Sequence, residues 1–466
     1  MTQQKTMAHK PYMVVRIASA CLWIGLATPG ISATADAEDR PTSLPYVWGK
    51  AFHIPPETTT EESGYFSLCE GRNGKIYIGT AAYGRNAYVV EFDPITEKMR
   101  IVLDTHKVVG LPLTRTGYAA QAKIHTRNFV GPSGKIYVGS KQGYPTADEG
   151  EALKRGEKIP IYRGGYVMNY NPATGTAKNL GMPMPLGDPR LPADATSVGA
   201  STDAEGEGVI DVVADEARGL VYVITCEHEY WMLYDLNHPE KGYRLLGPIL
   251  SGQPNTLVDR EGRATAITKN DRIARYDPRT DQVTVDDLLV DGKPIREFLG
   301  PNVNSPDWRL AGDGRTAYVQ FLNDLRLFHV DLSGAAGQPV IATDLGNRIE
   351  GVNPDSRGSI SIGPDGRVYS VIRIDNGTGF GDGYLHHLVR YDPTTGAMDD
   401  LGVLAVKNPG YAGDARPNHG FHTLPDGTLT PLHTSLAMIV ARDGTVYVTV
   451  LSPFTLLKID AGAYRR

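Results

Sequence analysis

Cysteine is scarce in this chain, and the scarcity limits how the fold can be stabilised. Only three of the 466 residues are Cys. Cys21 lies in an apolar N-terminal run, which leaves Cys69 and Cys226 for the rest of the chain. A disulfide-stapled mini-domain is excluded, because such a framework needs several cysteine pairs. Two distant cysteines, each inside an apolar strand pattern, are more typical of separately packed thiols than of a bridge.

Basic charge is also limited. The formal net charge is −6 and the pI is about 6.1, and no run of Lys or Arg occurs. A nucleic-acid-binding surface needs a basic patch or stripe. We therefore expect no nucleic-acid partner.

No apolar run is long and uninterrupted enough to predict a membrane span. Near the start, Lys5, Lys10 and Arg16 precede the apolar "IASACLWIGLATPGI", and small residues such as Ala35 and Ala37 follow. This order is typical of a secretory signal peptide, here residues 1–37. A lipoprotein at Cys21 is the weaker interpretation, because that residue lies inside the apolar run. We expect a periplasmic or extracellular protein, with residues 38–466 as one domain.

Glycine and proline are abundant, and they mark a repeat. A Gly turn followed by a β-branched or aromatic strand occurs seven times, as in "NGKIYIGT", "SGKIYVGS" and "DGTVYVTV". An apolar strand precedes each turn. A second strand follows and usually ends in Tyr-Asp-Pro or a variant, as in "IARYDP" and "LVRYDP". Several copies add a short strand that ends in Leu-Gly.

This pattern predicts four antiparallel strands per repeat, named A to D, with turns suited to tight reversals. Seven such units indicate an all-β fold, a seven-bladed β-propeller of four-stranded antiparallel blades. The chain ends soon after the last C strand. We therefore expect "YVWGKAFHI", near residue 46, to supply the outer strand of the last blade and to close the ring.

The long connections fall on one face of the predicted propeller. The A–B turns stay short, whereas B–C and D–A connections lengthen at 139–165, 181–208, 372–387 and 402–436. Long loops on a rigid scaffold often carry function. His125 begins an innermost strand at this face. The alternative for His125, and for any single loop residue, is a strand-end or solvated position without function.

Basic and aromatic residues in those loops predict a cationic funnel that suits an anionic ligand. They are Lys141, Tyr144, His228, Tyr230, Lys269, Asn270, Arg357, Arg373 and His386. His419, His422 and His433 lie in one long loop and are candidate zinc ligands, although their spacing matches no tight motif. The cofactor is otherwise unknown, with calcium or zinc as the divalent ions considered.

Over about residues 118–290, the chain resembles the secreted seven-bladed propeller polysaccharide lyases, the ulvan lyases and related uronate lyases. The similarity lies in "QAKIHTRNFVGPSGKIYVGS", "YRGGYVMNYNPATGTAKNLG" and "DEARGLVYVIT". The resemblance implies β-elimination on a uronate-containing polysaccharide by a histidine, a tyrosine and an arginine. His125 matches the histidine. A second family histidine is replaced by Lys141, and Tyr166 stands where another is expected.

That chemistry needs a group to neutralise the uronate carboxylate, a base for the C5 proton and an acid for the departing O4. Lys141 could have moved from proton handling to charge handling. Tyr230 and Tyr222 compete for the tyrosine role, with blade packing as the stronger alternative for Tyr222. Three residues compete for the arginine role: Arg357, Arg373 and Arg244.

Two other functions remain open at this point. A lactonase-type hydrolase would hold calcium through oxygen ligands, for which Glu61, Glu62, Asn323 and Glu350 are candidates. A non-catalytic module that binds an acidic glycan would use a similar basic funnel and would need no proton carrier. The identity of the glycan and the oligomeric state are not encoded in a pattern that we can interpret.

Overall fold

Glycines in the left-handed backbone region form the short turns of the repeat. Gly74, Gly134, Gly366 and Gly444 occupy A–B turns with φ between 76° and 86°, a region that side chains with a Cβ disfavour. In the computed structural model these turns join antiparallel strands. The model describes residues 42–60, 62–111, 117–185, 187–191, 206–301, 303, 305–413, 420–433 and 435–464. The predicted signal peptide lies outside these ranges. Pro41–Arg466 form one compact unit.

The strand pairings of the described residues form seven four-stranded antiparallel units, which we number as blades 1 to 7 in chain order. Their strands run as follows, from A at the channel to D at the rim. Blade 1 contains Glu62–Glu70, Ile76–Ala81, Tyr88–Asp93 and Lys98–Asp104. Blade 2 contains Phe129–Val130, Ile136–Lys141, Val167–Asn171 and Thr176–Gly181, with Lys123–Ile124 bridging blades 1 and 2. Blade 3 contains Gly208–Asp215, Leu220–Cys226, Tyr230–Asp235 and Tyr243–Ile249. Blade 4 contains Leu257–Val258, Ala264–Ile267, Ile273–Asp277 and Gln282–Asp286.

The remaining blades follow the same order. Blade 5 contains Pro306–Leu310, Thr316–Phe321, Arg326–Asp331 and Val340–Asn347, and Leu288–Val290 and Lys293–Pro294 extend its edge. Blade 6 contains Ile360–Ile362, Val368–Asp375, Tyr384–Asp392 and Ala397–Val406. Blade 7 contains Ser435–Val440, Val446–Val450, Thr455–Ile459 and the N-terminal strand Tyr46–His53. Two helices, Thr105–Val109 and Ala147–Lys154, and the hairpin of Phe421–Thr423 with Leu429–Pro431 lie in long connections.

The N-terminal strand closes the ring, as the sequence predicted. Its residues 50–53 pair antiparallel with residues 455–458 of blade 7. Its residues 46–49 pair parallel with residues 403–406, the outer strand of blade 6. At the change of partner, the Asn408 side chain accepts a hydrogen bond from the Ala51 amide at 2.8 Å and donates one to its carbonyl at 2.9 Å. The first and last strands of the described domain therefore form one joint.

The hydrophobic core lies between neighbouring blades, where their sheets pack face to face. One cluster combines Leu68 and Ile78 of blade 1 with Tyr447 and Leu456 of blade 7. The repeat tyrosine of the B strand is buried in each of six blades, at Tyr77, Tyr137, Tyr222, Tyr318, Tyr369 and Tyr447. The repeated Tyr of the motif is thus a packing residue, and apolar burial of these rings is a major source of stability.

Charged side chains bridge the central channel at mid-depth. Arg127 of blade 2 donates to the Trp308 carbonyl of blade 5 at 3.2 Å and to the Thr256 carbonyl of blade 4 at 3.4 Å. Its guanidinium also lies 3.5 Å from an Asp307 carboxylate oxygen, which accepts a hydrogen bond from Arg309 as well. Among the described residues, no helix is long and apolar enough to cross a membrane.

Candidate functional site

A cavity of about 370 Å³ opens at the face that carries the long B–C and D–A connections. Its lining includes four of the residues that the sequence placed there: His125, Lys141, Tyr144 and Arg357. They come from blades 2 and 6, so the cavity spans the channel mouth. Its volume is in the range of small-molecule and sugar-residue sites. We call it the first cavity.

Several residues of the first cavity were not singled out from the sequence. Lys123 is buried and donates a hydrogen bond from Nζ to the Tyr83 hydroxyl at 3.2 Å. The Tyr83 ring meets Tyr144 edge to face at 5.1 Å between centroids. Tyr118 and Glu227 complete the polar part of the lining. Lys123 and His125 are two residues apart on one extended segment, a spacing that puts both side chains on one face.

His125 sits at the inner wall of the cavity. It follows directly after Lys123–Ile124, and its amide donates to the Gly139 carbonyl at 3.3 Å. The imidazole packs against the edge of Phe66, with ring centroids 5.8 Å apart. Its half-buried side chain therefore has a defined position on the channel wall and faces the cavity.

Lys141 is held by two acidic or polarisable neighbours in blade 3. Its Nζ lies 2.8 Å from Glu227 Oε1 and 2.9 Å from Cys226 Sγ. Burial opposes the charged form of Lys141, but these neighbours outweigh it and raise the pKa above its usual value. Burial also raises the pKa of the Cys226 thiol to about 11, partly offset by Lys141. Cys69 and Cys226 are both buried and free, as expected.

The lining of the first cavity carries an excess of positive charge, although the protein as a whole is acidic. Lys123, Lys141 and Arg357 face one acid, Glu227, and that acid is already paired with Lys141. A concave site with an excess of one charge attracts ligands of the opposite charge. The predicted cationic funnel is therefore present, with Lys123 in addition to the residues that were expected.

A second cavity, about 610 Å³ and more open, adjoins the first. It contains four more of the predicted residues, namely His228, Tyr230, Lys269 and Asn270. Glu227 lines both cavities and forms their shared wall. The residues that the sequence assigned to one funnel thus divide between two adjacent sites.

A buried carboxylate fixes the loop between these cavities. Glu207 accepts hydrogen bonds from the amides of Glu227 at 2.8 Å and His228 at 2.9 Å. Its other oxygen lies 2.6 Å from His228 Nδ1. Because a carboxylate accepts, Nδ1 carries the proton in this contact. Nothing in the sequence indicated this role, since Glu207 stands in "EGEG" within a long loop.

Other predicted residues lie outside both cavities. Tyr222 is fully buried against Trp231 and Tyr276, so blade packing replaces the catalytic role that was considered for it.

The candidate arginines differ in their surroundings. Arg373 stacks on the Tyr384 ring at 4.4 Å and lies 3.5 Å from Asp355. Arg244 pairs with Asp281 at 2.6 Å on an outer strand. Tyr166 donates its amide to the Ser140 hydroxyl, behind the cavity wall. Of the three candidate arginines, only Arg357 lines a cavity described here.

The predicted metal ligands do not form a cluster in the part of the chain that is described. His419 and Glu61 lie outside it, as does the side chain of Glu62. Elsewhere in those ranges, no group of three or more His, Cys, Asp or Glu side chains is arranged to hold a metal ion. This covers His422 and His433 for zinc and Glu350 for calcium. Burial lowers the pKa of His422.

No protein-family model matches the sequence, and no curated protein matches it. Among solved structures, the chain is similar to the Cps50 (Swd1) β-propeller domain of Myceliophteria thermophila, at 12% identity and a TM-score of 0.47, over 84% of this chain and 95% of that one. It is also similar to the extracellular domain of a hybrid two-component system from B. thetaiotaomicron, at 13% identity and a TM-score of 0.45, over 88% and 41%. The structure of YCF48 bound to D1 peptide is similar as well, at 9% identity and a TM-score of 0.45, over 88% of this chain and 94% of that one.

Proposed function

We propose that this protein is a polysaccharide lyase that cleaves a uronate-containing glycan by β-elimination in the first cavity. The observation that carries the proposal is the meeting of Lys123 and Arg357 with His125 and Tyr83 around one cavity. Those four side chains supply the three functions that the reaction needs, namely charge neutralisation, a base and an acid. The resemblance of "KIH" at 123–125 to the uronate lyases supports the same assignment.

Neutralising the carboxylate is the first requirement. The C5 proton of a uronate becomes acidic only when the negative charge that develops on the adjacent carboxylate is stabilised. Lys123 and Arg357 are the cations assigned to this role, because Lys141 is already engaged by Glu227 and Cys226.

His125 is the assigned base. In its neutral form an imidazole accepts a proton through a ring nitrogen, which is the task of a general base. The edge contact with Phe66 restricts the ring from one side and leaves the cavity side for substrate.

Tyr83 is the assigned acid, in place of the Tyr230 and Tyr222 considered from the sequence. Its hydroxyl oxygen accepts a hydrogen bond from Lys123 Nζ at 3.2 Å, and a phenolic hydroxyl can act as a proton donor as well as an acceptor. In the reaction, His125 takes the C5 proton, the C4–O4 bond breaks and a C4–C5 double bond forms. Tyr83 gives its proton to O4 of the leaving chain. Atoms and charge balance without a cofactor.

The test is to incubate the full chain with ulvan, pectate, alginate, glucuronan and glycosaminoglycans and to follow ultraviolet absorbance of the conjugated product. We expect one substrate to give a rise. His125→Ala should slow it by about 10²–10⁴-fold, the usual contribution of a proton-transfer group, while binding persists.

The matched control is His238→Ala, since His238 is exposed in the C–D turn of blade 3, on the opposite face. It should leave the rate unchanged. If no substrate gives unsaturated product, the lyase proposal is wrong. Binding of one glycan without product would then indicate an acidic-glycan-binding propeller.

A further inference from the structure

We propose that the second cavity binds a neighbouring uronate residue of the same polymer, so that the ligand is a linear anionic glycan spanning both cavities. This inference rests on the proposed function for its ligand class. It assigns Glu207, His228, Tyr230 and Lys269 to a second sugar subsite, with Glu207 as a positioning residue that does not contact the ligand.

The two cavities are arranged for one continuous ligand. They are formed by the B–C loops of successive blades, from Lys141 in blade 2 through Glu227 in blade 3 to Lys269 in blade 4. All three loops emerge on the same face. Only the Glu227 wall is shared between the cavities, and a chain that occupies the first cavity can continue over it into the second.

The wall between the cavities does not repel an anion. Glu227 is the acidic side chain that lines both cavities. Its carboxylate lies 2.8 Å from Lys141 Nζ, and the two side chains are only 28% and 18% exposed. Such a partly buried pair presents little net charge to a passing chain.

The floor of the second cavity is preorganised. Glu207 holds both the backbone and the imidazole of His228 through Nδ1, so the ring cannot rotate freely, and Nε2 is the ring nitrogen left to meet a sugar hydroxyl. The Tyr230 ring stacks on His228, with an interplanar angle of 23° and centroids 5.7 Å apart. Adjacent aromatic faces of this kind suit the apolar face of a sugar ring.

The backbone between the stacked rings makes a strained turn. Glu229, between the two aromatic residues, has a φ of 57°, in the left-handed region that a Glu rarely adopts. Glu207 fixes the two residues before this turn through the amides of Glu227 and His228. Strained conformations of this kind cluster at ligand sites, and the turn therefore supports a binding role for the second cavity.

Lys269 supplies the charge for a second carboxylate. Its side chain is 70% exposed at the rim, and Glu229, its acidic neighbour, is 3.7 Å away. Arg272 also lines the cavity, but Asp287 holds its guanidinium at 2.8 Å. Lys269 is therefore the cation best placed to meet an incoming carboxylate.

The experiment measures affinity against ligand length. Oligoglucuronates from dimer to octamer are titrated calorimetrically into His125→Ala protein, where turnover is blocked. Lys269→Ala and Tyr230→Ala are added to that background. The control is Lys98→Ala, which removes an exposed positive charge from the outer strand of blade 1. Arg357→Ala serves as the first-cavity comparison.

We expect Lys269→Ala and Tyr230→Ala each to weaken binding of the octamer by about 3–10-fold, with no effect on the shortest oligomer that binds. Arg357→Ala should weaken every length. Equal affinities of wild type and the second-cavity variants for the octamer would overturn the inference and leave the lyase proposal standing. Length-dependent binding without any product from the unblocked enzyme would overturn the lyase proposal and leave the two-cavity inference standing. If no oligoglucuronate binds, the subsite inference fails, whereas the lyase proposal is decided by the substrate panel.

Discussion

The Lys141 ammonium lies 2.8 Å from the Glu227 carboxylate and joins the B–C loops of blades 2 and 3 at the mouth of the channel. The pair connects the two cavities physically, since Lys141 lines the first and Glu227 lines both. Lys141 therefore takes part in an inter-blade contact at the end of its strand.

Breaking this pair should destabilise the fold. Lys141→Ala leaves a partly buried carboxylate without its cation, and we expect the free energy of unfolding to fall by about 1–3 kcal/mol. Glu227→Gln should have a smaller effect. In the double variant the losses should be less than additive by about 1 kcal/mol. Urea unfolding of all four proteins measures this coupling, and strictly additive losses would show that the two groups do not interact.

Removing the Glu207 carboxylate should cost more than removing an exposed acid. Glu207→Ala leaves two backbone amides and the His228 Nδ1 proton without an acceptor, at about 1–3 kcal/mol for a buried group left unpaired. Glu207→Gln keeps an acceptor oxygen and should be intermediate. Glu240→Ala, an exposed acid on the opposite face, is the control in chemical denaturation. A Glu207→Ala midpoint equal to that of the control would contradict the assigned bonds.

His386 should make stability fall in acid. Burial, with Arg373 nearby, lowers the pKa of His386 to about 3 from 6.5. The folded state then binds fewer protons than the unfolded state between those values. Stability is therefore complete above about pH 6.5 and is lost as pH falls, by up to about 1.4 kcal/mol per pH unit. We expect a shallower acid slope in His386→Leu than in wild type when unfolding is measured across this window. Parallel slopes would mean that His386 is not held neutral.

Asn408 should stabilise the ring joint. Its side chain bonds both backbone groups of Ala51, so Asn408→Ala should lower the free energy of unfolding by about 1–2 kcal/mol. Asn408→Asp keeps the acceptor and loses the donor, so its stability should lie between those of wild type and Asn408→Ala. The midpoints of thermal unfolding give the order of the three proteins. A midpoint unchanged in Asn408→Ala would indicate that the joint is held by strand pairing alone.

Turn chemistry and repeat made the architecture predictable. The Gly turns and the strand after each turn fixed the four-stranded units, and the short chain after the last C strand indicated the N-terminal closing strand. The same repeat indicated that Tyr222 was the weaker candidate for the tyrosine role. Other blades carry a tyrosine at the equivalent position of the B strand, which is typical of a packing residue. Lys123 was detectable, because it lies two residues before His125 and alternation puts both on one face.

The division into two cavities could not be predicted from the sequence. It depends on how the loops after Ser140 and Cys226 fold, and on Glu207, which reaches His228 from a different connection. A single Glu between glycines in a long loop carries no periodic or spacing signal. The substitution of Lys141 for a family histidine was visible, but its partner Glu227 was not, because their contact joins two blades.

The bridge from Arg127 to Asp307 and Trp308 has a consequence for how a polymer is handled. With guanidinium and carboxylate groups meeting across the bore, a glycan strand cannot be threaded through the ring and drawn out at the far side. A glycan bound as proposed would instead approach sideways, lie across the mouth and leave by the same opening. For the proposed lyase, cleavage in the interior of a long strand would then be as accessible as cleavage at its tip.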